Sequence, residues 1–136
     1  MSNALYDKGR QAFLEGGIAI LTDNIKAVLI NTAGYTVNLA THQYLSDIPA
    51  GGRTATLATN MGTKTSTAGV FNAANITFPA VTGVVSQAVV LFKDTGTATT
   101  SPLICYIDNA TGLPVTPNGG DITVNWDTGA NKIFKL

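Results

Sequence analysis

Two Asp-Thr-Gly triplets, at Asp94–Gly96 and Asp127–Gly129, are the residues of this sequence that most resemble a catalytic signature. Asp-Thr-Gly is the triplet that supplies the catalytic carboxylate in aspartic proteases, and the second triplet continues into Ala130, as it does in retroviral-type enzymes. That chemistry requires two carboxylates that share one proton, because two adjacent negative charges cannot both ionise. The pair of triplets therefore raises the hypothesis of a protease.

The positions of the two triplets argue against that hypothesis. Asp94 and Asp127 are 33 positions apart, too few for a protease lobe between them, and only nine residues follow Asp127, too few to complete a one-lobe enzyme. Each triplet instead falls between two apolar runs. Aspartate bonds its own backbone there and glycine accepts a positive φ. We therefore interpret both triplets as turns between strands.

Three other features offer catalytic or binding chemistry, and each has a simpler interpretation. His42 is the only histidine and has no acid–base partner nearby in sequence. Cys105, the only cysteine, lies inside "LICYI", where a free thiol usually acts as a small core residue. The segment "TPNGGD" (116–121) lacks the lysine and the following helix of a phosphate-binding loop. None of the three predicts an enzyme.

Four aspartates near predicted strand ends could supply oxygen ligands to Ca²⁺. Their spacing matches no EF-hand loop, and aspartate is common in turns. We therefore predict no metal site, no cofactor and no catalytic residue at these positions: Asp94, Asp108, Asp121 and Asp127.

Strands and turns dominate most of the chain. The runs "IKAVLI" (25–30), "SQAVVLFK" (86–93) and "PLICYID" (102–108) have continuous apolar centres, which predicts strands buried on both faces. "NITFPA" (75–80) and "DITVNW" (121–126) alternate, which predicts strands with one exposed face. Turn-forming residues separate these runs. The predicted fold is mainly β: an antiparallel β-sandwich or partly closed barrel, jelly-roll-like, with a short N-terminal helix.

The N-terminal segment, residues 1–17, is predicted to be that helix. Ser2 and Asn3 are suitable N-capping residues, and Gly16-Gly17 provide a left-handed stop. The segment carries too little apolar surface to form the core itself. We expect it to lie on a sheet or on a neighbouring molecule.

Length and charge limit the possible classes of protein. A chain of 136 residues fits a single domain, 1–136. Eight basic and eight acidic side chains cancel, which gives no electrostatic reason to bind nucleic acid or an anionic membrane. The sequence lacks a membrane-spanning apolar run and a signal peptide, so we expect a soluble protein made in a cytoplasm.

The charged fraction is unusually low, at 12%, about half of the ~25% that is typical. Between Arg53 and Lys93 the only ionic side chain is Lys64. Threonine-rich exposed strands would explain this composition, and so would a surface that meets other subunits. Residues 53–74, rich in threonine and glycine, are predicted to form an exposed arm.

A resemblance to known proteins is carried by several phrases of the sequence taken together: "YDKGRQAFLEG", "LTDNIKAVLI", "YTVNLATHQYLSDI", "GTKTSTAGV", "FKDTGT", "SPLICYID", "TGLPVTPNGGDI" and "KIFKL". In these phrases, and through nearly its whole length, the chain resembles small virion structural proteins of tailed bacteriophages. The resemblance carries no catalytic residues. It implies a β-rich accessory protein of the particle, best described as a capsid decoration (cement) protein.

The implied location is the virion, with synthesis in the host bacterial cytoplasm, and the implied partners are the major capsid protein or other virion proteins. A homo-oligomer, plausibly a trimer, is expected. Alternatives are a tail, baseplate or fibre-associated component, and a receptor- or carbohydrate-binding β-sandwich. The predicted partner contacts are these five residues: Tyr6, Phe13, Leu14, Val70 and Phe71.

Overall fold

The computed structural model describes residues 4–108, 110–130 and 132–136. Within these ranges the chain forms one α-helix and ten short strands. Their bounds, in chain order, are β1 Ala4–Leu5, α1 Asp7–Leu14, β2 Ile25–Ile30, β3 Arg53–Thr56, β4 Thr65–Thr67, β5 Val70–Asn72, β6 Ile76–Phe78, β7 Ala88–Lys93, β8 Leu103–Ile107, β9 Ile122–Val124 and β10 Phe134–Lys135.

The main sheet has five strands in the order β1-β8-β7-β2-β3, and all its neighbours are antiparallel. Its three central strands, β2, β7 and β8, are those predicted from continuous apolar runs, and this prediction is confirmed. Every residue of β8 is buried, and so are all but Lys26 in β2 and all but Lys93 in β7. Such strands need cover on both faces, because their side chains alternate between the two faces.

Strand β2 contributes side chains to both hydrophobic cores of the molecule. Ala27 and Leu29 belong to the core on one face of the main sheet, and Val28 and Ile30 belong to the core on the other. Strands of two smaller sheets cover the first face. The second face is covered by the loop of residues 31–52, which contains two short 3₁₀ turns. The main sheet is therefore the middle of the molecule.

The two smaller sheets, with strand orders β10-β5-β4 and β6-β9, form a second layer over the first face of the main sheet. Phe71, Phe78 and Phe134 are buried in the core that this layer shares with the main sheet. In β6, Ile76 and Phe78 are buried whereas Thr77 is exposed, which confirms the alternation predicted for 75–80. The layer therefore has an apolar inner side and a polar outer side.

The predicted fold class is confirmed: the described chain is mainly β, with antiparallel sheets and one short helix near its N-terminus. The layered arrangement is that of a partly closed sandwich. No helix in the described ranges is long and apolar enough to cross a membrane.

The helix is shorter than predicted for residues 1–17. It spans Asp7–Leu14, and Ala4–Leu5 pairs with β8 as an edge strand, so these two residues are β rather than helical. A Cβ at Gly9 would lie 2.7 Å from the carbonyl oxygen of Leu103, so the helix approaches β8 too closely for a larger residue there. Gly16, at φ +77°, provides the predicted left-handed stop. The predicted caps, Ser2 and Asn3, lie outside the described residues.

The prediction of an exposed arm at residues 53–74 is wrong at both ends of that segment. Arg53–Thr56 forms β3 and pairs with β2 in the main sheet. Farther along, Leu57, Met61 and Phe71 are buried in the core beneath the second layer. Residues 65–69, which include β4, are exposed, and so are residues 58–60 between the buried Leu57 and Met61.

Candidate interaction surface

The two Asp-Thr-Gly triplets form turns, as predicted. Asp94 Oδ1 accepts a hydrogen bond from the backbone N–H of Gly96 at 2.9 Å, and Asp127 Oδ1 accepts one from Gly129 at 3.1 Å. The Nζ atom of Lys26 lies 2.6 Å from Asp94 Oδ2, and this contact, with the Gly96 bond, lowers the pKa of the Asp94 carboxyl. Each carboxylate is therefore engaged in its own turn rather than in a shared-proton pair.

His42 has hydrogen-bond partners that its sequence neighbourhood did not reveal. Its Nδ1 atom lies 2.7 Å from the hydroxyl of Tyr35 and 3.3 Å from the backbone nitrogen of Asn38. The Asn38 N–H can only donate, so Nδ1 accepts, and the Tyr35 hydroxyl donates to it. The hydroxyl of Tyr6 lies 2.8 Å from that of Tyr35 and completes a chain of three side chains.

This chain of hydrogen bonds joins the covering loop to the start of α1. Burial raises the pKa of Tyr6 and raises that of Tyr35 to about 12, so both phenols stay neutral at physiological pH. Tyr6 is fully buried and Tyr35 nearly so. Neutral, buried phenols are poor bases, and their hydrogen bonds instead satisfy polar groups inside the second core.

The remaining chemical candidates lie in structural positions. Cys105 is buried in β8, and burial raises the pKa of its thiol, which keeps it protonated. Among the described residues, no three His, Cys, Asp or Glu side chains come together as a metal site would require. Trp126 is buried, and its indole N–H donates to the Ala74 carbonyl at 3.0 Å.

The five predicted partner contacts differ in their accessibility. Tyr6 is 0% exposed and Phe71 is 2% exposed, so neither side chain is available to a partner; both rings fill the hydrophobic cores. Phe13 is half-buried, with its ring centroid 6.1 Å from that of Phe134. Leu14 is 86% exposed. Val70 is half-buried, and it lies opposite Thr67 in the hairpin of β4 and β5.

The outer side of the second layer carries few charged side chains. Phe71, Ile76 and Val124 point inward, so the residues that alternate with them point outward. The exposed outward residues of β4, β6 and β9, with Asn125 directly after β9, are neutral, whereas Lys135 of β10, opposite Val70, is exposed and charged. We call the neutral ones the neutral face: Thr65, Thr67, Thr77, Thr123 and Asn125. Thr77 Oγ1 and Thr123 Oγ1 hydrogen-bond across the β6–β9 pair at 3.1 Å.

Ionic side chains gather instead where β2 begins and β7 ends. Lys26 pairs with Asp94, and Lys93 Nζ lies 3.2 Å from Asp23 Oδ2. Lys64, which precedes β4, donates from Nζ to the Asp23 carbonyl at 2.7 Å. We call these five residues the ionic end. The one cation of residues 54–92 is thus held against the body of the molecule.

Strand β4 forms an edge of the second layer. The strand order β10-β5-β4 gives it one neighbour, β5, and all three of its residues are exposed. The turn between the two strands contains only Ala68 and Gly69, at φ +51° and +80°, as in a type I′ turn. Edge strands in proteins are usually very short, or carry charge, proline or a bulge, which prevents pairing with another chain. Strand β4 is short, with three residues, and carries no charge, proline or bulge.

A scan against protein-family models finds no match, and no curated protein matches the chain.

Proposed function

We propose that this chain is a structural protein of a tailed-bacteriophage virion, and that it acts as a capsid decoration (cement) protein which binds the outside of the head. The observation that carries the proposal is the neutral face with its adjoining edge strand. Residues 54–92 contain one ionic side chain, Lys64, and it is bonded to the Asp23 carbonyl. Such a surface suits close contact with other subunits, because an interface core is depleted of charge.

Lattice binding would use this surface through many small contacts. The exposed threonines offer hydroxyls and methyl groups without the cost of desolvating an ionic group. A single contact of this kind is weak, but a symmetric shell presents many copies of the same site, and bridging two capsomers combines their contacts. The resemblance to virion structural proteins supports the same role, and the major capsid protein is the partner that it implies.

A binding assay tests the proposal. Heads of the encoding phage that lack this protein are mixed with purified chain, and the bound copies are counted after sedimentation. The variant Thr77→Lys places an ammonium group on the neutral face. We expect it to reduce binding by about tenfold or more, since an unpaired charge in a dry contact is costly.

The matched control is Thr99→Lys, which adds the same charge at an exposed threonine outside the neutral face. Its binding should equal that of the unmodified chain. Absence of the protein from purified virions, or equal binding by Thr77→Lys, would contradict the proposal. Detection on tails alone would favour the alternative role as a tail, baseplate or fibre-associated component.

A further inference from the structure

We infer that strand β4 is a self-association site, where two copies of this chain pair antiparallel about a two-fold axis and join their β10-β5-β4 sheets into one continuous sheet. The partner is therefore a second copy, and the contact is between main-chain edges. This inference does not rest on a role in the virion.

The backbone of β4 is oriented for such pairing. A two-residue turn makes Thr67 and Val70 a hydrogen-bonded pair, and the alternation in an antiparallel ladder makes Ser66 and Phe71 a non-hydrogen-bonded pair. The N–H and C=O of Ser66 therefore point away from β5, toward the open edge. Two copies related by a two-fold axis through Ser66 would exchange both of these bonds.

The side chains of β4 are compatible with a copy of themselves. The strand is Thr-Ser-Thr in both directions, so antiparallel pairing places Thr65 opposite Thr67 of the second copy and Ser66 opposite Ser66. Cross-strand threonine pairs are favourable, whereas like charges directly opposite would be unfavourable. The nearby cation, Lys64, is directed to Asp23 and Asn60, with Nζ–O distances of 2.7 and 3.0 Å.

The charge of the whole chain also favours a second copy over a charged partner. Eight basic and eight acidic residues leave no net charge, so two copies experience no long-range repulsion. A basic or acidic partner would find no opposite charge along β4. An isologous contact needs only a self-complementary edge, which this strand provides. Because the paired segment is short, we expect weak association in dilute solution.

Disulfide trapping detects weak pairing and tests its register. Antiparallel partners have Cα atoms about 5.5 Å apart in a hydrogen-bonded pair, which a disulfide can span. Ser66→Cys should therefore form a covalent dimer under mild oxidation at least about tenfold faster than Thr99→Cys, because pairing raises the local thiol concentration. Cys105 is 1% exposed and does not compete.

A mixture of two cysteine variants tests the register of the pairing between two β4 strands. Thr65→Cys and Thr67→Cys, carried on tags of different size, should form the mixed dimer faster than either forms a dimer with itself. In sedimentation velocity across a concentration series, Ser66→Lys should abolish association while Thr99→Lys leaves it unchanged. Circular dichroism verifies that each variant is folded.

Trapping of Ser66→Cys at the rate of Thr99→Cys would overturn the inference. So would preferential Thr65–Thr65 dimers, or association of Ser66→Lys equal to that of the unmodified chain. All these measurements use purified protein without phage particles. A negative result would therefore contradict self-association without contradicting the proposed virion role.

Discussion

At the ionic end, Lys26 pairs with Asp94, Lys93 pairs with Asp23, and Lys64 donates to the Asp23 carbonyl. All of these contacts are intramolecular. On the neutral face, five exposed side chains carry no charge, and the hydrogen bond between Thr77 and Thr123 is the one observed between two of them. The first region uses its polar groups to hold the fold together. The second leaves its outward groups available. In a chain with 12% charged residues, this distribution separates a region of ionic contacts from a region of exposed neutral side chains.

The comparison predicts that substitutions at the ionic end reduce stability, whereas substitutions on the neutral face reduce association. The largest effect on stability is expected from Asp23→Ala. The Asp23 carboxylate accepts the Ala19 N–H at 2.8 Å and lies beside Lys93 Nζ, so its loss removes the acceptor of the Ala19 N–H and leaves Lys93 with the Gly17 carbonyl alone. We expect the free energy of unfolding to fall by about 2 kcal/mol, measured by urea denaturation.

Asp127→Ala is the control for that substitution, because it removes the same side chain from an exposed turn. Its one observed hydrogen bond, to Gly129, should make its effect smaller, about 0.5 kcal/mol. Thr77→Lys should likewise change stability little while it reduces binding. If Asp23→Ala were as stable as Asp127→Ala, the ionic end would not have the stabilising role assigned to it.

A smaller loss of folding stability is expected at acid pH. The Ala19 N–H and then Lys93 lower the pKa of Asp23, and Lys26 and then the Gly96 N–H lower the pKa of Asp94. Carboxyls with a lowered folded pKa contribute their full stability above the unfolded value of about 4 and lose it as the pH falls through the folded pKa. The stability that these two carboxyls contribute should therefore be level from pH 7 to pH 5 and decline below about pH 4.

Urea midpoints measured from pH 7 to pH 3 check this expectation. In Asp94→Asn the residue at position 94 no longer titrates, so the acid-dependent loss should be smaller by about 1 kcal/mol. A protein whose stability rose on acidification, or an Asp94→Asn variant with the same acid dependence as the unmodified chain, would contradict the stated cause.

The smallest change in stability is expected from a substitution in the turn between β4 and β5. Ala68 has φ +51°, a conformation that alanine adopts at a cost and asparagine tolerates well. Ala68→Asn should raise the free energy of unfolding by about 0.5 kcal/mol. Ala40→Asn, at an exposed position outside this turn, is the control and should give no gain. A loss of stability in Ala68→Asn would show that the turn is not of type I′.

The sequence was most informative where burial on both faces produces a continuous apolar run. Strand β2 lies at the residues predicted for it, and β7 and β8 lie within their predicted runs. The turn at Asp94 was also predictable, because an aspartate side chain bonds to the backbone two residues later. These features depend on local chemistry, and local chemistry is visible in a single sequence.

Features that depend on distant pairing were not predictable. Ala4–Leu5 is a strand only because β8 provides a partner a hundred positions away. Tyr6 was interpreted as a possible contact residue, yet its hydroxyl meets Tyr35 in the covering loop and its ring is buried. Likewise, the abundance of threonine and glycine in 53–74 concealed the buried Phe71.

The candidate surface was predictable only in part. The scarcity of charge between Arg53 and Lys93 indicated a subunit-facing surface as one of two explanations. It did not indicate that the Lys64 side chain donates a hydrogen bond to the Asp23 carbonyl, or that Thr65–Thr67 lies at a sheet edge. Both depend on how the second layer lies over the main sheet, which residue spacing alone does not determine.

The most direct test of the central claim is a cryo-electron microscopy reconstruction of the encoding phage particle at a resolution that shows individual strands. We predict density for this chain on the outer surface of the head, with the neutral face in contact with other subunits and the ionic end toward solvent. A particle without the chain, or a bound chain whose neutral face points to solvent while the ionic end forms the contact, would contradict the account.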